Sequence, residues 1–199
     1  MPNKDRNIPW KIKTEYIPVH MMAGFMEATN LLTSLGSGAT VFKEALAAAQ
    51  ISGIQMTTAD EIFHYWPIPH DLDRDAPILF RLHFTHDAAD LDSPVWKIFY
   101  KFQAKGLILV TANATEDEVL SITHAVAAAA GGLEITNWAR SVSNTKIAAS
   151  DLVALICVEL DALGGSAADE NVLLGLEIGY KVKAIADTWQ DTKSVSLIS

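Results

Sequence analysis

Histidine is the side chain best suited to proton transfer and metal ligation near neutral pH, and this sequence holds six: His20, His64, His70, His83, His86 and His124. Only His83-Phe-Thr-His86-Asp87 brings two of them close together. In an extended strand, residues three apart point to opposite faces, so these imidazoles converge only if the strand ends between them. Structural or surface histidines are the expected reading. Asp71-Leu-Asp73-Arg-Asp75 repeats the alternating acids that open a calcium-binding loop, since carboxylates two apart in an irregular turn can converge on a cation. That motif also needs a glycine where Ala76 stands and a bidentate glutamate where Leu82 stands. A turn rich in loop aspartates is favoured, with calcium at a subunit contact as the alternative.

No serine-nucleophile motif, phosphate-cradling glycine loop or convergent pair of catalytic carboxylates is present. Gly164-Gly165-Ser166 reads as a hairpin loop, and Asn113-Ala-Thr115 is more informative as a helix cap than as a glycosylation sequon. Cys157, the lone cysteine, lies in an apolar run, which makes it a buried hydrophobe and excludes an internal disulfide framework. No catalytic, cofactor-binding or metal residue is assigned. The expectation is a protein without enzymatic activity or cofactor.

The elements that would position any site follow from composition and pattern. The chain has 199 residues, 50% hydrophobic and 20% charged, enough apolar surface to offset the entropy of ordering the backbone. One domain over 14–186 is expected, preceded by a basic arm over 1–13 and followed by a tail over 187–199. The arm sets Lys4, Arg6, Lys11 and Lys13 against Asp5, a net +3, so the rest carries −12 of the total −9. An acidic body argues against nucleic-acid binding except through that arm. No run approaches the ~20 apolar residues of a membrane span, and the N-terminus lacks a secretion-signal core.

Strands are expected over 15–27, Asp60–Trp66, Ile78–Thr85, Val95–Gly106, Leu152–Leu160 and Val172–Val182. Alternation places Ile78, Phe80, Leu82 and Phe84 on one face, and Trp96, Ile98 and Tyr100 on one face of the next. A corner falls at Pro67–Asp73. Leu152–Leu160 is apolar at nearly every position, so both its faces need cover, which points towards assembly. Helices are expected over Val41–Gln50, rich in alanine, and from Glu116 to the Gly131–Gly132 stop, capped by Thr115 with Glu118 at the third position. The sum is a mainly β sandwich with one or two short helices and extended termini.

Three anchors resemble a pattern found in small proteins of tailed phages and environmental viral genomes. They are Pro69-His-Asp71-Leu-Asp73 before Arg81–Thr85, Val95–Tyr100 with Trp96 inside it, and Asp151–Ala162 followed by Ala168-Asp169 and Leu173–Tyr180. Phe84 stands where a tryptophan is frequent in that group and Glu159 where an arginine is common. The resemblance covers about 60–182. It implies a jelly-roll antiparallel β-sandwich, self-associated as a homotrimer or larger shell, located in the virion and bound to capsid proteins as a decoration or cement protein, with no membrane partner. A major capsid protein or a receptor-binding or carbohydrate-binding fibre head is the alternative. Sugar binding requires an exposed aromatic, for which Trp66, Trp138 and Trp189 are the candidates. An enzyme on a cupin-like barrel would need metal ligands that the histidine spacing does not offer.

Overall fold

The computed structural model describes residues 12–22, 43–46, 51–56, 58–86, 93–104, 118–126, 131–141, 147–162 and 171–182. The expected tail, residues 1–11 of the arm, Trp10, Trp189, Thr115 and Gly164–Ser166 lie outside them. In chain order the elements are β1 (Ile12–Pro18), α1 (Val19–Met22), β2 (Lys43–Leu46), β3 (Ile51–Met56), β4 (Glu61–Pro67) and β5 (Leu79–His86). They continue with β6 (Val95–Ala104), β7 (Glu118–Thr123), β8 (Glu134–Ile135), β9 (Ala139–Arg140), β10 (Asp151–Ala162) and β11 (Asn171–Lys181). No described helix is long and apolar enough to cross a membrane.

Among the described residues all pairings are antiparallel and fall into two sheets. The larger runs β2-β3-β11-β5-β8, with β1 also on β11 and β9 also on β5; the smaller runs β4-β10-β6-β7. From β3 to β6 the chain alternates between sheets and then returns over the same path, so that the partners nest: β3 with β11, β4 with β10, β5 with the β8–β9 segment, β6 with β7. This nesting is the wrapping of a jelly roll. The structure is therefore a jelly-roll antiparallel β-sandwich, as expected.

The alternation read from sequence defines the inner faces. Phe80, Leu82 and Phe84 of β5, Trp96, Ile98 and Tyr100 of β6, and Ala154, Ile156, Val158 and Leu160 of β10 are all buried in one core cluster. Rings interlock within it: Phe84 against Trp96 at 5.3 Å, Phe80 stacked on Tyr100 at 5.5 Å and Trp66 against Tyr180 at 5.9 Å.

Several expectations fail. In the expected helix over Val41–Gln50, Lys43–Leu46 is instead β2, paired with β3. In the expected second helix, Glu118–Thr123 is β7, paired along Val95–Tyr100 of β6. There Leu120 and Ile122 are buried while Val119, Ser121 and Thr123 are exposed, a period of two that outweighs the capping signal and the alanines further on. The expected strand over 15–27 starts earlier, at Ile12, and turns after Pro18 into the single helical turn α1. Ile12 and Lys13 thus belong to the sheet rather than to a free arm.

The two faces of β10 are covered differently. Its inner face meets the opposing sheet. On its outer face Cys157 is 0% exposed, flanked in register by Phe63 of β4 and Phe99 of β6. In-sheet neighbours thus shield it, while Leu152 stays exposed.

Candidate functional site

The outer face of the larger sheet gathers aromatic and charged side chains. Register sets Tyr16 of β1, Glu177 of β11 and Arg81 of β5 in one row. The next row holds Pro18, Gly175, His83 and Ile135, and the row on the other side holds Thr14, Gly179, Leu79 and Arg140. Directly opposed residues share a face, so these rows form one continuous surface.

Gly175 and Gly179 leave the two outward positions of β11 on either side of Glu177 without side chains, and rings occupy the space. A Cβ at Gly175 would sit 2.6 Å from Tyr16 Oη and 2.7 Å from its Cζ. At Gly179 it would lie 3.4 Å from Cη2 and Cζ3 of Trp138. Four extended residues separate the two seats by roughly 13 Å. Tyr16 donates its hydroxyl to Leu174 O at 3.2 Å and meets His83 edge-on at 4.9 Å. The Arg81 guanidinium lies 4.3 Å from the Trp138 ring centroid, within cation–π range. Both rings stay accessible, Tyr16 at 47% and Trp138 at 36% exposure.

Between them lies a fixed polar group. Arg81 Nε donates to Glu177 Oε2 at 2.7 Å, and His83 Nε2 lies 3.0 Å from the same oxygen. Oε1 accepts no hydrogen bond among the described residues. The Arg81 hydrogen bond, joined by that of His83, holds the Glu177 carboxyl below its ordinary 4.5 against the opposing pull of burial. Burial, followed by the Glu177 charge, raises the Tyr16 hydroxyl above its ordinary 10.0, so it remains a donor at neutral pH.

Of the tryptophans named from sequence, Trp138 belongs to this surface. Trp66 is buried, its Nε1 donating to Glu15 Oε2 at 2.9 Å. The histidine pair separates as strand geometry requires: His83 meets Glu177, whereas His86 Nε2 lies 3.8 Å from Glu134 Oε1, and His124 Nε2 lies 3.0 Å from Glu134 Oε2. The aspartate run does not converge. Asp71 pairs with Lys13, Asp73 with Lys181 at 3.3 Å, and Asp73 Oδ1 accepts from the Asp75 amide. Lysines thus neutralise two of the three acids. Among the described residues, no group of three His, Cys, Asp or Glu side chains is placed to hold a metal ion. Tyr16, Arg81 and Glu177 were not singled out from sequence. The available signal was Gly175-x-Glu177-x-Gly179, three outward positions with only one side chain among them.

The core adds a second titratable feature, His64 on β4. Its burial lowers the imidazole below its ordinary 6.5, with Glu15 and the Met21 backbone opposing. The native chain therefore binds this proton more weakly than the unfolded chain, and stability is lost as pH falls below 6.5. Glu177 has the same sign: its stabilisation is present above 4.5 and is lost as pH falls through and below that value. Urea midpoints measured from pH 7.5 downwards should fall in two stages, the first attributable to His64. A profile that stays flat as pH falls below 6.5 would contradict the His64 assignment, and the lack of a further fall below 4.5 would contradict that of Glu177.

No family model matches this chain, and no curated protein matches it. Among solved structures it is similar to the CBM36-1 domain of a multidomain xylanase from the hindgut metagenome of Trinervitermes trinervoides. That match has 7% identity and a TM-score of 0.43, covering 84% of this chain and 97% of that one. It is also similar to the Clostridium thermocellum xylanase 10B CBM22-1–GH10 modules complexed with xylohexaose, at 14% identity and TM-score 0.41. There 76% of this chain is covered, but only 26% of the xylanase chain. A third is arabinose-bound MgGH51 α-L-arabinofuranosidase, at 12% identity and TM-score 0.35, covering 89% of this chain and 24% of that one.

Proposed function

We propose that this protein is a non-catalytic carbohydrate-binding sandwich that holds a sugar chain along the outer face of its larger sheet. One observation carries the reading: Tyr16 and Trp138 are accessible while anchored over Gly175 and Gly179, with the Arg81–Glu177–His83 group between them. Sugar rings present apolar C–H faces that pack on aromatic rings, and their hydroxyls exchange hydrogen bonds with fixed polar groups. Rings held before binding lose little entropy on contact. Glu177 Oε1 is the acceptor left for a hydroxyl, and the spacing of the seats suits an oligosaccharide of a few units.

Glycan-array screening followed by calorimetry tests this reading. Trp138→Ala and Tyr16→Ala should each weaken binding by roughly tenfold while the chain stays folded by circular dichroism, in line with the worth of aromatic contacts. Failure to bind any glycan at millimolar protein would overturn it.

A second reading, the virion structural protein, is favoured by another surface. Phe63, Cys157, Phe99 and Val119 align across the outer face of the smaller sheet, with Val119 and Leu152 exposed. Val119 and Leu152, the exposed apolar side chains of this sheet, would be buried against a further copy or a capsid protein. Sedimentation across a concentration series tests it: a monomer throughout, with no binding to expanded or mature capsids, excludes it.

A further inference from the structure

Beside the aromatic face, at the end where β1 begins and β11 closes, lies a cleft of about 480 Å³. Ile12, Ala76, Pro77 and Leu79 give it apolar lining, and Asp75, Tyr180, Arg140 and Lys181 bring polar groups to it. Register makes it continuous with the aromatic face. Leu79 pairs with Gly179, the seat of Trp138, and with Arg140 on its other side, while Ile12 pairs with Lys181 one row further on.

The charges in this cleft are not equivalent. Lys181 is answered by Asp73 at 3.3 Å, outside the lining. Arg140 is exposed and has no carboxylate partner among the described residues. A guanidinium presents a rigid fork of N–H donors that matches a carboxylate in two parallel hydrogen bonds. Asp75, the lining acid, is an acceptor for hydroxyls. An apolar wall for a ring, one acceptor and one free guanidinium fork together describe a sugar bearing a carboxylate.

We infer that the cleft is a subsite for a uronic-acid unit, so that the preferred ligand is an acidic polysaccharide rather than a neutral one. The inference rests on the carbohydrate-binding reading. Arg140 holds the carboxylate, Asp75 accepts from a ring hydroxyl, and Leu79 and Ile12 pack on the ring, while Tyr16 and Trp138 hold the neighbouring units.

Calorimetry on the full chain tests this with three probes: a neutral oligosaccharide, the same backbone carrying a glucuronic-acid branch, and free glucuronate. The acidic oligosaccharide should bind more tightly than the neutral one, with an advantage that shrinks as salt rises. Arg140→Gln should weaken the acidic ligand roughly tenfold or more, as expected for hydrogen bonds to a charged group, and leave the neutral one unchanged. Equal affinity for both oligosaccharides, with loss of both on Trp138→Ala, would leave the aromatic face standing and overturn the subsite. Glucuronate binding that falls with Arg140→Gln but survives Trp138→Ala would support the subsite, and oligosaccharide binding that also survives Trp138→Ala would count against the aromatic face. No binding of any probe would overturn both.

Discussion

Replacing Trp96 by alanine is expected to remove ~3–5 kcal/mol of folding stability, because a fully buried indole at the centre of the sandwich leaves a cavity that rigid sheets cannot close. For a chain of this size the melting temperature should fall on the order of 10 °C. Trp96 is 0% exposed on β6 and packs its ring 5.3 Å from Phe84 of β5, so it ties one sheet to the other. Its Nε1 has no hydrogen-bond partner among the described residues. Trp96→Phe should therefore cost much less than Trp96→Ala, since it keeps most of the apolar contact and removes an unsatisfied buried donor. Differential scanning calorimetry on the two variants checks this. Equal losses would mean that contact area at this position does not govern the core.

The core was the legible part of the sequence, and Trp96 shows why. Phe80, Leu82, Phe84, Trp96, Ile98 and Tyr100 recur at every second position, and a period of two has one structural meaning when one face is buried. The same rule applied to Glu118–Thr123 would have given β7. There local capping chemistry and the following alanines pointed to a helix, and pairing with β6 overrode them. β8 and β9 were beyond reach for a different reason: with two residues each, they carry no period. Their place on β5 depends on long-range bonds such as the Thr136 hydroxyl accepting from the Leu82 amide at 2.9 Å and the Ser141 hydroxyl from the Ile78 amide at 2.8 Å. Trp138 lies between them. Its candidacy was visible in its type, whereas its position over Gly179 was not. Tyr16 and Glu177 are 161 positions apart, and only the β1–β11 register makes them neighbours. The viral resemblance followed the order of strands and corners, which a jelly roll shares across many functions, so it bears on the fold and leaves the outer face to be read from its own residues.

Gly175→Ala is expected to release the N-terminal edge of the larger sheet and weaken ligand binding about as much as Tyr16→Ala. The added Cβ would meet two different obstacles. Tyr16 Oη and Cζ, at 2.6 and 2.7 Å, are the far end of a side chain that can swing away; Ile17 O, at 2.7 Å, is backbone and can move only if β1 moves. Overpacking of this kind costs roughly 1–3 kcal/mol. At Gly179 the nearest atom is Leu79 Cβ at 3.3 Å, so Gly179→Ala should be tolerated with a shift of a few tenths of an ångström. Two alanines four residues apart on one strand face thus predict opposite outcomes, which excludes a general intolerance of β11 to alanine. Amide exchange should accelerate across β1, from Ile12 to Ile17, in the Gly175 variant and remain slow in the Gly179 variant. Adding Tyr16→Ala to Gly175→Ala removes the ring contact but leaves the carbonyl contact, so the double variant should recover only part of the lost stability. Full recovery would show that the ring alone resists the methyl group. No loss in the single variant would mean that Tyr16 does not need its glycine seat, and the aromatic face would lose the anchoring on which its proposed role as a sugar platform depends.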